Sequence, residues 1–163
     1  MAVPSTGEGK RGTAGHLLYL LRQANAAVRQ AVDRELSGLH LTLSQYSALT
    51  MIAAYEDISG AELAGLSMLT PQSAHETVMR LEKAGFIRRS ADPRHRRIFH
   101  LTLTEAGRAV LAEARRRTDL IEARLAGLAA AMSPEAVRRW LVDVAVDISD
   151  GTTIHDRPDR IDP

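Results

Sequence analysis

The sequence predicts a mainly α-helical fold interrupted by one β-hairpin, and three observations lead there. Apolar residues recur at three- and four-residue spacing over most of the 163 residues, which is the helical period. Thr42, Ser59, Thr70, Thr104 and Ser133 each stand where a hydroxyl can cap a new helix. Residues 86–91 and 98–103 instead read as strands on either side of an Asp-Pro turn signal, the second alternating with period two.

Residues 1–14, with three glycines and one proline and little apolar patterning, read as a flexible arm. Gly7, Gly9 and Gly12 spell G-x-G-x-x-G there, but no strand pattern precedes them and no βαβ pattern follows, so a dinucleotide site is rejected. Leu17, Leu21, Ala24, Val28, Ala31 and Val32 then form the stripe of a long first helix, residues 16–36. Thr42 and Gln45 make a capping-box pair for a second helix whose stripe is Tyr46, Leu49, Ile52 and Ala53. Ser59 and Glu62 repeat the device for a short third helix with Leu63 and Leu66 facing inward. Thr70 caps a fourth helix with Pro71 at its first position and Gly85 as its stop. Two short helices joined by a tight turn make a helix-turn-helix unit. Residues 86–91 and 98–103 read as strands, with Phe99, Leu101 and Leu103 on one face and a basic, exposed connector between them. Thr104 caps a long fifth helix with Val110, Ala114, Ile121, Leu125, Leu128 and Met132 near heptad spacing. Ser133 and Pro134 start a sixth, striped by Val137, Leu141, Val144 and Ile148, before an acidic tail at 150–163.

Composition narrows the function. At 45% hydrophobic and 25% charged the chain has the balance of one folded domain, with no apolar run near the ~20 residues that span a bilayer, so a cytoplasmic protein with no membrane partner is expected. Absence of cysteine excludes a thiolate nucleophile, a cysteine redox switch and a Cys-ligated zinc site. The six histidines are scattered, with His95, His100 and Asp92 the least poor metal cluster, and no local pattern assembles a catalytic triad or carboxylate pair. We therefore expect no metal, no cofactor and no enzyme.

Net charge is +1, but its distribution is lopsided. Residues 80–97 carry Arg80, Lys83, Arg88, Arg89, Arg94, Arg96 and Arg97 against Glu82 and Asp92, while residues 143–163 hold six aspartates against Arg157 and Arg160. Such a run can be only a solvated face. Its setting argues for more. With Ala74, Val78 and Leu81 turned inward, the fourth helix presents Gln72, Ser73, His75, Glu76, Met79, Arg80 and Lys83 outward. A single helix is what the major groove admits, and arginines suit a narrow minor groove. Aromatic residues, at 4%, are too few for the stacking platforms of single-stranded nucleic acid. Duplex DNA is the favoured partner, with Thr70, Gln72, Ser73, His75, Glu76 and Arg80 of the helix and Arg94, Arg96 and Arg97 of the hairpin as contact residues.

Four stretches make the chain resemble the MarR family of winged helix-turn-helix regulators over about residues 15–149. They are Leu41-Thr42-Leu43-Ser44-Gln45-Tyr46, Arg80-Leu81-Glu82-Lys83-Ala84-Gly85-Phe86-Ile87, Asp92-Pro93-Arg94-His95-Arg96-Arg97 and Leu103-Thr104-Glu105-Ala106-Gly107. The resemblance implies a winged helix-turn-helix at 42–103 between long N- and C-terminal dimerisation helices at 15–36 and 104–149. It implies that Arg94 enters the minor groove and that Asp92 helps to hold the wing arginines. His95 stands where many members have aspartate. A homodimeric repressor on a pseudo-palindromic operator is implied, released by a small phenolic, aromatic or lipophilic effector. The family's pocket would lie between the first, second and fifth helices, where His16, Tyr19, Gln23 and Tyr46 offer polar groups. Apolar residues on the sixth helix, Trp140 among them, agree with a dimer on physical grounds. The alternative is a dimeric protein-interaction module whose basic patch is incidental.

Overall fold

A computed structural model of the chain describes residues 5–55, 57–67, 69–91 and 99–149. By its internal contacts the chain divides into two compact units, residues 1–121 and 122–163.

In the first unit, Gly9–Arg11 forms one 3-10 turn, and the Gln23 side-chain amide donates to the Arg11 carbonyl at 3.0 Å. Helix α1 (Leu17–Leu36) runs into a second 3-10 turn, Ser37–Leu39, closed by His40 in the left-handed region. Helix α2 (Leu43–Ala54) starts on the expected capping box, in which the Thr42 hydroxyl accepts from Gln45 N–H and the Gln45 side chain accepts from Thr42 N–H. Strand β1 (Ile58–Ser59) leads into α3 (Gly60–Leu66), capped reciprocally by Ser59 and Glu62. Helix α4 (Pro71–Lys83) ends at Gly85, whose φ of 76° explains why glycine stands there. Strands β2 (Ile87–Ala91) and β3 (Phe99–Leu103) pair antiparallel, with Ile87 opposite Leu103 and Arg89 opposite Leu101.

Alternation predicts a two-stranded hairpin, but the sheet has three strands in the order β1-β3-β2. A two-residue strand is too short to leave a period in the sequence. Leu36, Leu49, Leu63, Leu81 and Leu101 are completely enclosed, and Ile52, Ile58, Val78, Ile87, Leu103, Leu111 and Ala114 complete the core. Each such leucine contributes on the order of 1.5–3 kcal/mol by leaving water.

Several inward assignments need correction. Leu66 is exposed, since α3 turns Leu63 and Ala64 to the core and its last turn projects past it. Ala53 is exposed and Ala48 takes the buried place, because α2 packs along a line one residue earlier in its turn. In α1 the stripe is buried only toward its C-terminal end, at Val32 and Leu36, whereas Leu17 is 70% exposed. Phe99 shares the face of Leu101 and Leu103 but is exposed, because it lies beyond the core at the outer end of the sheet.

Thr104 joins the hairpin to helix α5 (Glu105–Ala129). Its hydroxyl accepts from Gly107 N–H and donates to the Gly85 carbonyl at 2.7 Å, while its N–H donates to the Phe86 carbonyl. One side chain thus caps α5 and fixes the turn that ends α4.

The second unit holds the rest of α5, a 3-10 turn at Ala130–Met132 and α6 (Pro134–Ser149). Arg138 reaches Glu122 and Glu135 at 3.8 and 3.7 Å. Much of this unit's apolar surface is exposed, including Leu128, Met132, Trp140, Leu141, Val146 and Ile148. Among the described residues no helix is long and apolar enough to cross a membrane.

Candidate nucleic-acid interface

Helix α4 has one buried face and one exposed face. Ala74, Thr77, Val78 and Leu81 are buried and lock one face, while Gln72, Ser73, His75, Glu76, Met79, Arg80 and Lys83 are all exposed. Thr77 is absent from the inward set that periodicity predicts. Its hydroxyl donates to the Ser73 carbonyl at 2.8 Å, which satisfies the polar atom and lets the residue serve as a core methyl.

The N-terminal end of α4 is fixed by side-chain hydrogen bonds. Thr70 Oγ1 accepts from Ser73 N–H at 3.1 Å and donates to Ser73 Oγ at 2.9 Å, so Thr70 and Ser73 also hold the helix start. No acidic residue stands in the first turn, leaving the positive end of the helix dipole uncompensated. The Gln72 amide of the first turn donates to Glu76 one turn on at 3.4 Å, a long bond. Arg80 and Lys83 lie in the last turn, where they favour the negative end of the dipole.

Beside α4, strand β2 carries Arg88 and Arg89 on opposite faces. Arg88 donates to Thr102 Oγ1 on the outer face of the sheet, at 3.2 Å. Arg89 occupies the same parity as buried Ile87 and pairs with Glu82 of α4 at 2.7 Å, its guanidinium 5.6 Å from the centre of the Phe99 ring. Arg89 was not among the expected site residues. The available signal was a charge at an inward position of a strand. Arg94, Arg96 and Arg97, with Asp92 and His95, lie outside the described residues.

A cleft of about 510 Å³ opens between α3, α4 and the hairpin, lined by Ser59, Ala64, Pro71, His75, Arg89 and Phe99 among others. The expected ligand residues are disposed differently. His16 is exposed just before α1, and Tyr19 is 41% exposed. Gln23 holds the Arg11 carbonyl, and the Tyr46 hydroxyl lies 3.2 Å from Thr118 Oγ1 of α5. None of these four lines the cleft beside α4. Among the described residues no group of three His, Asp or Glu side chains can hold a metal ion.

Known proteins share this arrangement. The family model described as MarR family matches residues 41–99, which run from the start of α2 to the first residue of β3. The HTH-type transcriptional repressor Rv2887 of Mycobacterium tuberculosis is 33% identical over 129 residues, covering 79% of this chain and 93% of that protein. The crystal structure of Rv2887, a MarR family protein, in complex with salicylic acid has a TM-score of 0.58 at 31% identity, covering 80% of this chain and 95% of that one. The transcriptional repressor CouR of Rhodococcus jostii, bound to a 23-mer DNA duplex, has a TM-score of 0.70 at 27% identity, covering 82% and 92%.

Proposed function

The chain belongs to the MarR family of DNA-binding transcriptional regulators, and from that premise we propose that it is a homodimeric repressor acting in the cytoplasm and released from DNA by a small aromatic or lipophilic compound. The observation that carries this reading is α4, a helix with one face sealed in the core and seven polar or flexible side chains exposed on the other. In a twofold dimer, two such helices reach successive major grooves about 34 Å apart. Gln72, Ser73, His75, Glu76 and Arg80 address bases and phosphates, Thr70 sets the helix start, and Arg94, Arg96 and Arg97 serve the minor groove. Exposed apolar surface on α1 and, separately, in the second unit supports a second copy of the chain as partner.

An effector acts only through different affinity for two dimer shapes. CouR, a relative, has been crystallised with p-coumaroyl-CoA, and Rv2887 with salicylic acid. We extend that ligand chemistry to this chain, with His16, Tyr19, Gln23 and Tyr46 as its polar contacts. Tyr46 bridges α2 to α5 through Thr118, so a ligand that takes the phenol hydroxyl loosens the link between a DNA-reading lobe and a long helix. A second location is favoured by the cleft beside α4, where Arg89 can meet a carboxylate and Phe99 a ring.

Electrophoretic shift of DNA flanking the protein's own gene tests the reading. Retarded bands that disappear on adding an aromatic acid support it. A chain that dimerises yet shifts no DNA refutes it and leaves a protein-interaction module. Loss of the acid's effect in Tyr46→Phe selects the site between α1, α2 and α5, whereas an effect unchanged in that variant selects the cleft.

A further inference from the structure

We propose that Glu82 and Arg89 are positioning residues for DNA binding: together they form the joint that sets the hairpin's angle to α4. The inference rests on the DNA-binding reading above. Leu81 and Ile87 are buried where α4 meets the base of the hairpin, and Leu101, opposite Arg89, lies in the same core as Val78 of α4. Beyond Ile87 every residue of β2 is exposed, Phe99 opposite its end is exposed, and the cleft opens beneath. Among the described residues that core stops at Leu101, and Ser90, Ala91 and Phe99 beyond it are exposed. Arg89 bridges the edge of the core. One guanidinium binds the Glu82 carboxylate on α4 at 2.7 Å and lies 5.6 Å from the ring of Phe99 on β3, so it touches the helix and both strands. Arginine suits this place because its planar fork can pair with a carboxylate while its face meets an aromatic ring.

The charge of Glu82 makes the idea testable by sign. An acid on a helix that meets a polyanion repels it, so electrostatics alone predicts tighter binding once the charge is removed. A joint predicts the reverse, because the hairpin loses its fixed angle. Operator affinity is measured for wild type, Glu82→Gln, Arg89→Gln and the double variant, with hydroxyl-radical footprints of each. Glu82→Gln should bind about two- to fivefold more weakly, the range a partly exposed ion pair can supply. It should keep the major-groove protection of α4 and lose the flanking minor-groove protection. The double variant should bind no more weakly than Arg89→Gln alone, since both changes break one contact. Glu82→Gln binding as tightly as wild type or tighter with its full footprint, or losses that add in the double variant, overturns the joint alone. A wild-type chain that shifts no DNA overturns the DNA-binding reading as well.

Discussion

Substituting alanine for Gly107 tests the junction on which α4, the hairpin and α5 all depend. A Cβ at Gly107 would lie 1.9 Å from the Phe86 carbonyl oxygen, and that carbonyl also accepts the Thr104 N–H at 3.0 Å. Ordinary contact requires the start of α5 to retreat by roughly 1 Å or more. The obstacle is backbone, so no side chain can rotate away. Retreat loosens two hydrogen bonds, Thr104 N–H to Phe86 and Thr104 Oγ1 to Gly85, each contributing about 1 kcal/mol. Overpacking adds about 1–3 kcal/mol, and alanine's better helix propensity returns about 1 kcal/mol. Gly107→Ala should therefore lose about 2–4 kcal/mol in urea unfolding at fixed protein concentration. Gly65→Ala is the control: a Cβ added there on α3 would meet nothing within 4 Å, and the variant should be neutral or slightly stabilising. A Gly107→Ala protein as stable as wild type would refute the close approach.

Other consequences are as direct. Arg94→Ala should weaken operator binding by about 1–3 kcal/mol in titrations at fixed salt, and Arg97→Ala should act similarly; unchanged affinity and salt slope in both remove the hairpin tip from the mechanism. Hydrogen bonds from Arg116 and Arg117 lower the Glu113 pKa from 4.5 to about 2. Its carboxylate therefore favours the folded state above about pH 4.5, and that contribution fades as pH falls toward 2. Glu113→Gln should flatten the acid limb of the melting-temperature profile over that window, and an unchanged limb contradicts the pairing. Deleting residues 133–163 should yield a monomer in sedimentation and weaker DNA binding; a dimer at micromolar concentration places the interface elsewhere.

Much of this architecture is legible in sequence because it is local. Hydroxyl caps at Thr42, Ser59 and Thr70 act within three residues, so they mark helix starts that the structure reproduces. The outward face of α4 follows from the same short-range geometry. What sequence reading missed depends on contacts between distant segments. Strand β1 exists because Ile58 and Ser59 meet Leu101 and His100, and Leu66 is exposed because the core does not extend beneath the end of α3. Arg89 looked like one more member of a basic run until its strand parity turned it toward Glu82. In sequence Gln23 and Tyr46 are polar groups that suit a ligand, yet each has a partner within the chain, a backbone carbonyl and Thr118 respectively. No periodicity reports that.

If two copies of α4 read one operator together, hydroxyl-radical footprinting of the DNA flanking the protein's own gene shows it directly. Two equivalent protected segments are expected about one helical turn apart, symmetric about a pseudo-dyad, with further minor-groove protection outside each. A single asymmetric footprint, or none at concentrations where the protein is dimeric, would contradict paired reading by α4.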